Sequence, residues 1–184
     1  MKKFSFVLGI ALVLFIHSPA SSQNNELLAQ FRTEVDLQGY HILSLSSLIF
    51  KPATSVEYDL EWSYNLYGLT VPSGNPETLE MFTQVHLPDG AEIKRVVAVY
   101  YDNSGMASTE IHLMRIEPLA MGEPDDMVVF SSSGLPNDPN LRIFSTGTIT
   151  YPVIDNRNIY IASFSLDKDT ADDVAFRCLY IAYE

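Results

Sequence analysis

Between Val56 and Leu66 the chain alternates without a slip. Val56, Tyr58, Leu60, Trp62, Tyr64 and Leu66 are apolar or aromatic, and Glu57, Asp59, Glu61, Ser63 and Asn65 separate them. A period of two over that length gives one buried and one wet face only on an extended strand. On a helix the same residues would scatter around the circumference. Ile159 to Leu166 repeats the pattern, with Tyr160, Ala162, Phe164 and Leu166 set against Ser163 and Ser165. Ile93 to Tyr101 and Val174 to Tyr183 are rich in β-branched and aromatic residues, which favour strands. Leu79 to Leu87, Ile111 to Ile116, Met127 to Phe130 and Leu141 to Thr150 are shorter runs of the same kind. His41 to Phe50 is an apolar run interrupted by serines, and Lys51-Pro52 is expected to end it.

Turn chemistry separates these runs. Pro88-Asp89-Gly90 supplies a fixed dihedral and then a positive one. Asp102-Asn103-Ser104-Gly105 reads as a hairpin loop, as does the acidic stretch Asp167 to Asp173. Val71 to Pro76, Ser131 to Asn140 and Asp155 to Asn158 are further breaks. About eight short strands at roughly ten-residue spacing, with no amphipathic helix between them, predict an all-β fold. The expected architecture is an antiparallel β-sandwich, jelly-roll-like in its wiring.

The N-terminus follows a different rule. Met1-Lys2-Lys3 is basic, Phe4 to Ile16 carries no charge, and His17 to Gln23 is small and polar. That is the three-part pattern of a cleavable signal peptide, with cleavage after Ala20 or after Ser22. The apolar stretch is too short to span a bilayer comfortably. No cysteine follows it, so a lipoprotein anchor has no attachment point. The expected organisation is a signal peptide over 1–22, a lead-in segment over 23–40 and one sandwich domain over 41–184. The expected location is secreted or periplasmic.

Composition adds two constraints. The 184 residues carry a formal charge of −12, and Lys2 and Lys3 leave with the signal peptide. An acidic chain repels nucleic acid and anionic membrane surfaces. The single cysteine, Cys178, cannot form an internal disulfide, so the fold holds by its core. It lies in an apolar run and reads as a small buried hydrophobe.

Val85-His86-Leu87-Pro88-Asp89-Gly90-Ala91-Glu92-Ile93 leads into Tyr100-Tyr101-Asp102-Asn103, then Ile111-His112-Leu113-Met114-Arg115. Ile154-Asp155-Asn156 and Leu179-Tyr180-Ile181-Ala182-Tyr183 follow. In order and spacing these stretches resemble a group of uncharacterised exported bacterial proteins. That group's pattern is a Leu-Pro-x-Gly-Ala turn, a Tyr-Asp-Asn strand end, a Leu-x-Arg return strand and a late Asp-Asn. The resemblance covers the chain from about Phe50 onward. It implies a bacterial secreted β-sandwich and no activity.

Candidate chemistry is sparse. Asp102, Asn103, Asp155 and Asn156 fall at expected strand ends, where such residues cap turns. They become a polar ligand site, or a calcium site, only if the two loops meet. Asp167 to Asp173 is dense in carboxylates but lacks the glycine and terminal glutamate of a calcium loop. Trp62, Tyr58 and Tyr64 share a face with aliphatics and read as core; Tyr67 and Tyr101 are better placed to stack a sugar ring. His41, His86 and His112 have no metal-ligand spacing, and no nucleophile elbow or phosphate loop is present. No cofactor is expected, calcium being the minority reading. Two functions stand. One is an exported non-catalytic binding or assembly module of the envelope or extracellular space, with a glycan, a protein or further copies of itself as partner. It would have no nucleic-acid partner and no membrane span after signal cleavage. The other is a polysaccharide hydrolase using a carboxylate pair.

Overall fold

A computed structural model describes residues 39–52, 63–64, 68–70, 78–104, 107–119, 122–166 and 174–184. The signal peptide, the acidic loop 167–173 and most of the Val56–Leu66 alternation lie outside the described residues. In chain order the strands are β1 (His41–Ser46), β2 (Lys51–Pro52), β3 (Ser63–Tyr64), β4 (Leu69–Thr70), β5 (Leu79–Val85) and β6 (Ile93–Asp102). They continue with β7 (Thr109–Ile116), β8 (Asp125–Ser131), β9 (Asp138–Thr146), β10 (Ile159–Leu166) and β11 (Val174–Tyr183).

These strands form two antiparallel sheets. The first runs β3-β4-β11-β6-β9, with β1 also paired to β11. The second runs β2-β5-β10-β7-β8. Among consecutive strands of the described residues, only β3–β4 and β7–β8 pair directly; the next strand otherwise lies in the other sheet. That alternation is jelly-roll wiring, and it corrects two expectations. The turn after Asp102 and the loop after Leu166 are not hairpins, because β6 and β11 lie in the first sheet while β7 and β10 lie in the second. Turn chemistry bends a chain but does not say whether the next strand pairs with the last.

His41 to Phe50 is also not one strand. The run pairs with β11 as far as Ser46, turns through the 3₁₀ segment Ser47–Ile49, and resumes on the second sheet as β2. The Ser46 hydroxyl accepts from the Leu48 N–H at 3.4 Å and caps that turn. Pro52 therefore pairs at a sheet edge, where its missing N–H costs nothing. Pro139 is tolerated on edge strand β9 for the same reason.

The core lies between the sheets and follows the alternation. Tyr160, Ala162, Phe164 and Leu166 of β10 face Ala98, Leu179 and Ile181 of β6 and β11, all buried. Phe50, Phe164 and Phe176 form an aromatic cluster, with Phe164 and Phe176 centroids 4.2 Å apart. A bulge at Arg177 resets the parity of β11, so Leu179 and Ile181 point inward and Cys178 points out. Cys178 is half-buried, and burial pushes its thiol above the ordinary range, away from reactivity.

Candidate functional site

β6 fixes the relation between the expected site residues. It has ten residues, about 30 Å of extended chain at the usual rise. Asp102 closes one end. At the other end, Ile154 donates to Ala91 at 2.8 Å and Ile93 donates to Pro152 at 2.8 Å. The Asp102-Asn103 and Asp155-Asn156 pairs thus lie at opposite poles of the sandwich. The structure does not bring them together, and a ligand or calcium site shared by both is not formed. The described residues contain no group of three or more metal-ligating side chains.

The Asp102 pole is a hydrogen-bonded loop system. Asp102 is 4 % exposed, and its carboxylate accepts from the Ser104 N–H at 3.1 Å and from the Ser132 hydroxyl. The Ser132 hydroxyl also accepts from the Thr109 N–H at 2.9 Å, and the Ser132 N–H donates to the Thr109 carbonyl at 2.9 Å. Asp102 therefore ties β6 of one sheet to the β8 end of the other. Beside it opens a pocket of about 410 Å³ lined by Ser104, Ala107, Ser132, Ser133, Gly134, Leu135 and Pro136. Asn103 is half-buried next to this network. Gly134 has φ +77° in the turn that forms the pocket's far wall, a conformation glycine adopts freely.

The Asp155 pole packs two of the sequence motifs against each other. Gly90 donates to the Ile154 carbonyl at 2.9 Å, and the Asn156 N–H donates to the Asp89 carboxylate at 3.0 Å. The Leu-Pro-Asp-Gly-Ala turn and the Ile-Asp-Asn loop are thus one structural unit. Arg157 forks onto Asp155, with Nε 2.9 Å from each oxygen. Those bonds hold the Asp155 carboxyl down to about 2. The Tyr160 hydroxyl accepts from the Asp155 N–H at 2.8 Å. Nearby, Tyr151 has φ +53°, and the Arg115 guanidinium stacks on its ring 3.9 Å from the centroid.

The aromatic platforms expected from the sequence fare differently. Tyr101 faces away from the core yet is 6 % exposed, so no sugar ring can reach it. Tyr67 lies outside the described residues. Tyr151, to which the hydrophobic pattern assigns no role, is 47 % exposed. His112 Nδ1 lies 2.9 Å from the Asp126 carboxylate, which accepts from it, on the outer face of the second sheet. His41 packs on Tyr183 with the rings tilted by 32° and their centroids 5.5 Å apart. A carboxylate pair for hydrolysis has no counterpart at the pocket, whose lining contains no acid.

The strand pairing defines the class as an antiparallel jelly-roll sandwich. No family model matches this chain, and no curated protein matches it. Solved structures resemble it at low identity. The CBM36-1 domain of a multidomain xylanase from the hindgut metagenome of Trinervitermes trinervoides is 8 % identical, with 77 % of this chain and 96 % of that one covered and a TM-score of 0.46. The xylan-binding module CBM15 is 9 % identical, over 78 % of this chain and 97 % of that one, with a TM-score of 0.45. A carbohydrate-binding module in complex with β-1,4-galactotriose, TmCBM61, is 14 % identical over 83 % and 88 %, with a TM-score of 0.33.

Proposed function

We propose that this chain is an exported, non-catalytic binding module that takes a neutral glycan at the pocket beside Asp102. The observation that carries the reading is the pocket itself. A volume of about 410 Å³ falls in the range that accepts small ligands. Its wall presents serine hydroxyls and the backbone of Ser133-Gly134, groups that exchange hydrogen bonds with a polyol and carry no charge. The one buried carboxylate nearby, Asp102, is occupied by Ser132 and Ser104, so it orients the wall rather than attacking a ligand. The acidic chain as a whole disfavours anionic polymers. Export rests on the signal-peptide pattern at residues 1–22.

The test is affinity electrophoresis of the mature protein in gels containing neutral polysaccharides. Xylan and β-1,4-galactan are the first polymers in the series. Retardation by a neutral polymer is expected, and Ser133→Trp, which fills the pocket mouth, should abolish the pocket's share of it. Retardation unchanged by Ser133→Trp removes the pocket from the reading. Release of reducing sugar from the polymer would instead establish a hydrolase.

A further inference from the structure

We propose that Tyr151 forms a second, independent glycan contact at the opposite pole, built to stack one neutral sugar ring. Three observations converge on it. Tyr151 is the one non-glycine residue with positive φ among the described residues, a conformation that excludes most side chains. The chain places a large aromatic where glycine or asparagine would be easier. Its backbone is fixed on the C-terminal side, where Pro152 and Ile154 bond to Ile93 and Ala91. Its ring is fixed from below by Arg115, which is itself held by Asp125 at 2.6 Å and Glu117 at 2.9 Å. A ring braced on one face, and about half exposed, leaves the other face for a ligand.

The surroundings choose the ligand. Asp89, Glu117, Asp125 and Asp155 stand around Arg115 and Arg157, and both guanidiniums are already paired with acids. Acids outnumber bases, so a uronic, sulfated or phosphorylated sugar is repelled. The C–H face of a neutral pyranose meets an aromatic ring without charge, and the carboxylates of Glu117 and Asp125 that hold Arg115 can receive its hydroxyls. The site shares the ligand class proposed for the pocket but none of its residues.

The experiment measures retardation of mature wild type, Tyr151→Ala, Tyr151→Phe, Tyr151→Gly and Ser133→Trp on neutral and uronate-containing polysaccharides. Tyr151→Ala and Tyr151→Gly should weaken neutral-glycan binding about tenfold, and Tyr151→Phe should stay within about threefold. Glycine accepts the positive φ, so Tyr151→Gly separates loss of the ring from loss of the fold, with its melting temperature at or near wild type. Wild-type binding by Tyr151→Ala overturns the proposal, as does equal loss in Tyr151→Phe or preference for the uronate polymer. If Tyr151→Ala fails while Ser133→Trp binds normally, the pocket reading falls and this one stands. If neither wild type nor any variant binds a glycan, both fall.

Discussion

Asp102 brings a carboxylate into the end of the sandwich, and what it meets there decides its role. Two donors point at it, and one of them, Ser132, also receives the Thr109 N–H. Replacing it with alanine leaves the Ser132 hydroxyl and the Ser104 N–H with a lost acceptor in a buried position. We expect Asp102→Ala to cost about 2–3 kcal/mol in urea unfolding, and Asp102→Asn, which keeps one acceptor oxygen, to cost less. A neutral result for Asp102→Ala would show that the two sheets are not joined through this carboxylate. Asp155 is the opposite case. It is a surface carboxylate whose proton affinity falls because Arg157 bonds to its charged form. Its folded-state value, about 2, lies below the ordinary 3.8, so the pair's contribution is present above the ordinary range and is lost as pH drops toward 2. Carbon-detected NMR should place the Asp155 titration near 2 in wild type and higher in Arg157→Ala, still below the ordinary value because the backbone N–H of residue 157 keeps its bond to the carboxylate. A titration that Arg157→Ala does not move would mean that the fork is not formed in solution.

At the scale of elements, alternation is the part of the fold that sequence made legible. The period-two residues of β10 are the ones that pack between the sheets, and Phe164 among them meets Phe50 and Phe176. Phe164→Ala should cost about 3–5 kcal/mol by leaving a cavity where three rings meet. A melting temperature within a few degrees of wild type would place Phe164 outside the cooperative core. What alternation cannot give is wiring. A strand's two faces are written in its own residues, whereas its partner is chosen by the whole sandwich. Hence the turn at Asp102 was legible as a turn but not as a crossing, and Cys178 was legible as apolar but not as outward, because the bulge at Arg177 leaves no local signature. The site was half legible for the same reason. Asp102 does close a strand, whereas Asp155 lies within the loop between β9 and β10, and which pole each reaches is a property of the topology. Gly68 shows a signal of another kind. Its φ is +141° and a Cβ there would overlap the Phe176 carbonyl, so β4 can approach β11 only through glycine. Gly68→Ala should destabilise by about 1–3 kcal/mol, read from the same urea titration, with alanine tolerated only if β4 detaches.

The whole molecule places its two candidate contacts at the ends of β6, separated by about 30 Å of extended strand. One ligand unit cannot reach both, but a polymer or two separate chains can. Two sites at opposite ends of one domain make a single copy bivalent without any oligomer. Wild type should therefore cross-link a neutral polysaccharide, raising the viscosity of a dilute solution or bringing it down as a co-precipitate. Tyr151→Gly and Ser133→Trp should each still bind, because one pole remains, yet neither should cross-link. Size-exclusion chromatography of the unliganded protein separates this from dimerisation: a monomer that cross-links must carry both contacts on one chain. If a single-pole variant still cross-links as a monomer, the second contact lies elsewhere on the surface. If wild type binds but never cross-links, only one pole holds a glycan, and the variant that abolishes binding identifies which.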